Sequence, residues 1–279
     1  ILSNQPAFVA GKLRQHLHAW QELTCDLTIL QCVKGVKIEF KNNTSPTCEN
    51  ISPQQACTNS ANISAVRAEI QKLLHKGVIK PSIHEEGEII SPIFVRPKKD
   101  GTYRLILNLK QLHEYVEYHH FKMDTLEAAI KLMKPGCYMA SIDLKDAYYT
   151  VAVHSEHQKY LKFTFAGTLY QYTCLPNGLS SAPRLFTKLL KPVYATLRSM
   201  GILNSGYIDD SYLQGDTFKE CSCNVTATAN MMTNMGFTLH PDKSIFIPSQ
   251  VLIFLGFILN SINVCVPYTR ENFQNYELV

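Results

Sequence analysis

Residues 202–215 read ILNSGYIDDSYLQG, and the placement of the two adjacent aspartates decides the fold. Two β-prone runs, Ile202–Leu203 and Ser211–Leu213, flank Tyr207-Ile208-Asp209-Asp210. Side chains alternate faces along a strand, so neighbouring aspartates inside one would point opposite ways. Both reach a common site only at the tip of a hairpin, where the backbone turns. Adjacent carboxylates repel unless something neutralises them, and a divalent cation is the usual answer. On its own, an Asp-Asp pair reads better as decoration on a surface turn. The rest of the chain reverses that preference.

Upstream, the apolar run Tyr138–Ile142 predicts a buried strand that delivers Asp143 at its end. A carboxylate there is expensive unless paired, hydrogen-bonded or metal-bound; the blander account is that Asp143 caps the following turn. Further back, Ile89–Arg96 and Tyr103–Leu109 predict two strands joined by Pro97-Lys98-Lys99-Asp100-Gly101-Thr102, in which Asp-Gly is a strong hairpin signal. Lys98, Lys99 and Arg104 cluster on or beside that hairpin and could close over a triphosphate, with point charges from Lys and a forked contact from Arg. A solvated, charged turn is the commoner meaning of such a run.

The remaining elements follow from periodicity and punctuation. A helix runs from an N-cap at Asn62 to a stop at Gly77. Asp124-x-x-Glu127 reads as a capping box for a helix that Pro135-Gly136 ends. Lys159–Phe165 and Leu169–Leu175 form a hairpin around Ala166-Gly167, and a helix from Ser181 ends before Gly201, kinked at Pro192. Phe218–Met235 is helical, Phe237–His240 a short strand, and Ile245–Ile247 and Val251–Leu259 are strand-like, the latter suiting a buried strand. After residue 136 the order is β-α-β-β-α-β with an inserted hairpin, a split βαβ, ferredoxin-like plan. At the N-terminus a helix is expected over Val9–Leu23 and strands over Ile29–Val33 and Val36–Phe40. Residues 41–62 are Asn-, Ser-, Thr- and Pro-rich and read as a linker.

Composition sets only loose bounds. The 279 residues, 46% hydrophobic, suffice for one large domain or two smaller ones. A net charge of +4 permits an anionic partner without demanding one. Nine cysteines with no C-x-x-C pair point to reduced thiols and an intracellular setting. No run reaches the roughly 18 apolar residues of a membrane span. The first residue is Ile, so the chain reads as a piece of something longer. His119-His120 and His154-x-x-His157 lack partners at zinc spacing and read as structural.

On the ferredoxin-like plan, Asp143 and the Asp209-Asp210 pair come to neighbouring strands at the same end of one sheet. Three converging carboxylates are what a two-metal phosphoryl-transfer site needs. At this point the chain resembles the fingers and palm of a reverse transcriptase. The matching stretches, in family order, are SPIFVRPKKDGTYRLILNLKQL, SIDLKDAYYTV, LPNGLSSAPRLF, YIDD, FTLHPDKS and FLGFIL, spread over residues 91–259. WQELTCDLTILQCVKGVKIEF and FKMDTLEAAIKLMKPGCYMASIDLKDAYY look most like retroelements of the DIRS kind, with Gypsy-type elements next.

The resemblance implies an α+β fold with a ferredoxin-like palm, an antiparallel sheet with helices on one face, and a thumb absent or truncated. It implies an extension and linker over 1–60, fingers over 61–118 and 151–181, palm over 119–150 and 182–262, and the start of a thumb or tail over 263–279. It also implies an RNA-directed DNA polymerase that adds dNTPs to a primer on an RNA or DNA template, with two Mg²⁺ ions, or Mn²⁺, and no membrane partner.

Residue by residue, Asp143, Asp209 and Asp210 resemble the catalytic metal ligands, with the Leu144 carbonyl a further one. Lys98 and Arg104 match fingers contacts to the triphosphate. Asp146, Ala147 and Tyr148 match the pocket beneath the sugar, Tyr148 as the gate against a 2′-hydroxyl. Asn177 and Gly178 stand before the helix that meets the nucleotide, where many relatives carry Gln or Phe. Lys243 lies where the family has a basic residue near the phosphates, and Leu255-Gly256-Phe257 resembles the hairpin that grips the primer terminus. Asn108 stands where many relatives have Asp. The competing reading is an inactive retroelement remnant that binds nucleic acid or a protein. An unrelated phosphotransferase would explain only the carboxylates.

Overall fold

A computed structural model of the chain describes residues 8–46, 60–98 and 101–263. Lys99, Asp100, much of the expected linker and residues 264–279 of the expected thumb or tail lie outside them. In chain order the helices and strands are α1 (Leu17–Leu23), α2 (Leu27–Lys34), α3 (Ser60–His75), β1 (Ile79–Pro81), β2 (Ile93–Pro97), β3 (Tyr103–Leu107), α4 (Lys110–His113), α5 (Leu126–Leu132) and β4 (Tyr138–Asp143). They continue with α6 (Ser155–Gln158), β5 (Lys162–Phe165), β6 (Thr168–Tyr172), α7 (Ala182–Ser199), β7 (Asn204–Tyr207), β8 (Asp210–Gly215), α8 (Phe218–Asn234), β9 (Ile245–Ser249), β10 (Val251–Phe254) and β11 (Phe257–Asn260). The chain forms two compact units, one of Ala7–His120 with Tyr148–Phe186, the other including Phe121–Ala147 and the residues from Thr187 on.

The second unit is built on a four-stranded antiparallel sheet in the order β7-β8-β4-β9, with α7 between β4 and β7 in the chain and α8 between β8 and β9. This is the split βαβ arrangement expected from the sequence. Strand alternation divides its two faces. Ser211 turns towards α7, where its Oγ lies 2.6 Å from the Tyr194 hydroxyl, and Gly215 lets α8 approach so closely that a Cβ would strike the backbone of Cys221. Tyr212 turns the other way, into a core with Ala129, Met133, Cys137, Met139, Leu252, Phe254 and Leu259. That second face is therefore covered by α5 and the β10–β11 hairpin, so the helices are not confined to one face as expected.

The first unit holds the β2–β3 hairpin and a three-stranded sheet in the order β1-β6-β5. The β5–β6 turn is Ala166-Gly167, both at positive φ, as its sequence predicts. Residues 8–46, expected as an extension, are built into this unit. Leu13 and Trp20 are fully buried, Gly11 N–H donates to the Tyr149 carbonyl at 2.8 Å, and Val36 and Phe40 form bridges to Val153 and Val116.

Several local expectations are corrected. Ile29–Val33 is not a strand but the middle of α2, whose start is fixed by Asp26 accepting from the N–H groups of Thr28 and Ile29 at 2.8 and 3.4 Å. Val36–Phe40 makes only isolated bridges. Helix α3 begins at Ser60, so Asn62 lies within its first turn. Asp124 does not cap α5; its carboxylate lies 3.6 Å from Arg198 and accepts from Ser205 Oγ and Gly206 N–H, both at 3.4 Å. Helix α7 holds Pro192 inside it, where the sequence places it. Phe237–His240 contributes a bridge at Leu239 rather than a strand. Val251–Leu259 is no single buried strand, because Leu255-Gly256 at positive φ folds it back as the β10–β11 hairpin.

Candidate active site

The acidic end of the four-stranded sheet is set by strand register. Asp143, the last residue of β4, stands directly opposite Asp210, the first of β8. The next rung is hydrogen-bonded, Leu144 N–H donating to the Asp209 carbonyl at 2.8 Å. The Asp143–Asp210 rung is therefore the non-hydrogen-bonded kind, on which facing side chains come closest. On its far side, Asp143 N–H donates to Ser244 Oγ at 3.0 Å and its carbonyl accepts from His240 N–H at 2.8 Å. Both peptide groups of Asp143 are thus engaged, which holds the end of β4 in place.

Asp209 comes from the turn. The Tyr207–Asp210 pair leaves Ile208-Asp209 as a two-residue hairpin loop, with Ile208 at φ 53°. A β-branched residue rarely takes positive φ, so this tip carries strain. It places two consecutive carboxylates at the same end of the sheet, as the sequence required.

Charge here is only partly relieved. Burial first, then the neighbouring Asp209 and Asp143 carboxylates, push the Asp210 carboxyl up to about 7, against a smaller opposing pull from Lys243. Burial likewise raises Asp143 to about 6, with Lys243 pulling down and Asp209 pushing up. Lys243 Nζ is 3.9 Å from Asp143 Oδ2 and 61% exposed, a weak counter-ion. Hard carboxylate oxygens that are desolvated and mutually repelling fit a hard divalent cation. The convergence is incomplete, however. Among the described residues no three His, Cys, Asp or Glu side chains sit close enough to hold a metal ion as they stand. Asp143 and Asp210 face each other, and the Asp209 charge is near enough to push both upwards.

Asp146, at φ 51°, and the buried Ala147 follow Asp143 in the same unit. The remaining nucleotide-pocket candidates, Lys243 apart, lie in the other unit. Lys98 and Arg104 belong to the β2–β3 hairpin, Arg104 exposed on β3. Arg104 pairs directly with Arg96, which lies in the same stretch SPIFVRPKKDGTYRLILNLKQL but is assigned no role by the sequence. Like charges opposite each other on a hairpin destabilise it, so this pair suits an anionic partner. The Tyr148 ring stands edge-on to Phe186 at 5.6 Å. Asn177 donates through Nδ2 to the Tyr149 hydroxyl at 2.6 Å, and its carbonyl accepts from Leu107 N–H at 3.2 Å. Gly178, at φ +113°, has no room for a Cβ, which would strike the Leu107 carbonyl oxygen. In the unit of the four-stranded sheet, Leu255 and Gly256 form the β10–β11 turn and Phe257 opens β11.

Ser244 and Tyr149 also join the site; they lie within the stretches FTLHPDKS and SIDLKDAYYTV, but nothing in the sequence assigns them a role.

No helix among the described residues is long and apolar enough to cross a membrane. The sequence matches the family described as reverse transcriptase (RNA-dependent DNA polymerase) over residues 96–259. It is 24% identical over 195 residues to the Transposon Tf2-3 polyprotein of Schizosaccharomyces pombe, a stretch covering 70% of this chain and 14% of that polyprotein. It is 23% identical over 201 residues to the Retrovirus-related Pol polyprotein from transposon 412 of Drosophila melanogaster, covering 70% of this chain and 16% of that one. The chain thus spans a small part of these relatives. The fold is similar to a foamy viral protease-reverse transcriptase in complex with double-stranded DNA, with a TM-score of 0.69 and 19% identity over 99% of this chain and 51% of that one. A structure of the foamy viral enzyme with an RNA/DNA hybrid gives 0.66 at 19% identity, covering 99% of this chain and 39% of the other. With the family matched over more than half its residues, this chain belongs to the reverse transcriptases.

Proposed function

We propose that the chain is the RNA-directed DNA polymerase domain of a retroelement, adding deoxynucleotides to a primer 3′ end on an RNA or DNA template. The observation that carries this reading is the Asp143–Asp210 rung with Asp209 beside it, a set of half-buried carboxylates whose mutual repulsion a divalent cation would relieve. Two Mg²⁺ ions, or Mn²⁺, held by Asp143, Asp209, Asp210 and the Leu144 carbonyl would lower the pKa of the attacking hydroxyl and neutralise the leaving pyrophosphate.

The chain's own residues do the positioning. Asp143 and Asp210 present their oxygens from a fixed rung. Lys243 sets a cation beside Asp143 on the phosphate side. Lys98 and Arg104, joined by Arg96, offer a cluster of positive charge to a triphosphate. Asp146 and Ala147 form the floor beneath the sugar, and the Tyr148 ring, held against Phe186, excludes a 2′-hydroxyl. Asn177 and Gly178 meet the nucleotide, and Leu255, Gly256 and Phe257 grip the primer terminus. The stretches at 20–40 and 121–149 support a DIRS-type element, and the thiol usage an intracellular setting.

Mg²⁺-dependent extension of oligo-dT on poly-rA tests the reading. Activity is expected in the wild type and lost in the Asp209→Asn, Asp210→Asn double variant. An active double variant would remove these aspartates from catalysis. A folded wild-type chain that binds primed template without extending it would favour an inactive nucleic-acid-binding remnant.

A further inference from the structure

We infer that Tyr149 is a positioning residue: its hydroxyl fixes the Asn177 amide for the incoming nucleotide, an inference that rests on the polymerase function proposed above. The contact is short, 2.6 Å from Asn177 Nδ2 to the Tyr149 hydroxyl. It joins two segments 28 residues apart in sequence within one compact unit.

Both partners are held from behind. Tyr149 is 7% exposed and lies in the 3-10 turn Ala147–Thr150. Its carbonyl accepts from Gly11 N–H at 2.8 Å, so the ring has a fixed origin. Asn177 is anchored through its own carbonyl to Leu107 N–H, at the end of the strand that carries Arg104. Gly178 follows at φ +113°, in contact with the same Leu107 peptide. The backbone at 177 is therefore set by β3, and the remaining freedom lies in the side-chain torsions.

The Tyr149 hydroxyl removes that freedom. A primary amide has two N–H donors and one carbonyl acceptor. With one N–H engaged by a buried phenol, the amide plane is fixed, and the second N–H and Oδ1 face a constant direction. Without the hydroxyl the amide would rotate, and its ordering would fall on nucleotide binding. Tyr148, next in the same turn, faces Phe186. One short turn thus supplies two functions: Tyr148 shapes the space for the sugar, and Tyr149 orients Asn177.

The test is steady-state primer extension on poly-rA/oligo-dT with the nucleotide titrated. Tyr149→Phe keeps the buried ring and deletes one hydroxyl. It is expected to raise the dTTP KM about fivefold, the size of one net hydrogen bond, with kcat changed less than about twofold. Primer-template affinity should stay at the wild-type value and the thermal midpoint should fall by no more than the few degrees one hydrogen bond contributes, whereas a merely structural hydroxyl would leave KM unmoved. Asn177→Ala should raise KM at least as much, and the double variant should match Asn177→Ala alone. A wild-type KM for Tyr149→Phe, or additive effects in the double variant, would overturn the role of Tyr149. A wild-type chain unable to extend the primer would instead overturn the polymerase function, and this role with it.

Discussion

Asp143 and Asp210 face each other on the last rung of β4 and β8, with Asp143's own peptide groups turned away to Ser244 and His240. The sheet therefore holds two carboxyls together without offering either a backbone donor across the rung. Their raised values, about 6 and about 7, mean that the folded chain binds these protons more tightly than the unfolded chain does.

Stability without metal should consequently fall as pH rises. Between the ordinary aspartate value near 4 and about 7, the folded state holds more protons, so the slope of unfolding free energy with pH is negative. Asp210→Asn removes one of the charges and should stabilise the metal-free domain at pH 8 by about 1 kcal/mol after allowing for solvent screening, roughly 3 °C. The gain should be smaller at pH 5 and vanish below the ordinary aspartate value near 4. Thermal melts in EDTA at both pH values check this; a variant less stable than wild type at pH 8 would contradict it.

Metal dependence has the opposite pH slope. A divalent cation binds the deprotonated pair, so binding must displace protons below about 7. Mg²⁺ added at about 100 times its dissociation constant at pH 8 should raise the melting midpoint by several degrees, on the order of 2–3 kcal/mol. At pH 5.5 the shift should be less than about half of that. Equal shifts at the two pH values, or a shift retained in the Asp209→Asn, Asp210→Asn variant, would argue that the cation binds elsewhere.

Ile208 holds the hairpin tip at a cost in backbone strain. At φ 53° its branched side chain costs about 1–2 kcal/mol that glycine would not. Ile208→Gly should therefore melt higher or unchanged while extending primers at least about tenfold more slowly, because the tip that orients Asp209 loses its restraint. Full activity in this variant would show that the strain has no bearing on the site.

The acidic centre was legible because its signals are local. Tyr138–Ile142 is an apolar run ending in a carboxylate, and an Asp-Asp pair between β-prone runs fits only a turn. What escaped was set by contacts or by ambiguity in short windows. Ile29–Val33 is five residues of apolar-rich sequence that helix and strand both accommodate, and the deciding feature was the Asp26 cap. Composition alone reads Val251–Leu259 as one strand, because leucine seldom takes the positive φ found at Leu255; only the family resemblance marks the hairpin there. Asp124 looked like a cap, yet its partners Arg198, Ser205 and Gly206 lie more than 70 residues away. The clasp of Ser244 on Asp143 spans 101 positions, so neither segment read alone shows that the two residues pair.

Gly206 is required by shape. A Cβ there would enter the Tyr194 ring, which is buried and whose hydroxyl meets Ser211 Oγ at 2.6 Å. Gly206→Ala should destabilise by about 2–4 kcal/mol, through overpacking and loss of that hydrogen bond. In a Tyr194→Ala background the same change should cost less than about 1 kcal/mol, since the clash is gone. Denaturant melts of the four proteins measure the coupling; additive costs would show that the ring is not what excludes the methyl group.

Lys162 anchors the loop before β2. Its side chain is fully buried, with Nζ 2.8 Å from Glu85, 2.7 Å from Glu88 and 2.7 Å from the Ile83 carbonyl. Burial pushes the Glu88 carboxyl up, but its bonds to Lys162, His84 and the Glu85 N–H outweigh that and leave it below the usual range. A depressed carboxylate contributes stability above its unfolded value, and loses it as pH falls through the folded one. Lys162→Met strands Glu88 in a half-dry site and should cost about 3 kcal/mol at pH 7, less near pH 4 where Glu88 takes up a proton. Adding Glu88→Gln should restore part of the loss at pH 7 by removing the unpaired charge. Melts of the single and double variants at the two pH values decide it: a cost independent of pH, or no recovery in the double variant, would place the contribution of Lys162 in packing rather than charge.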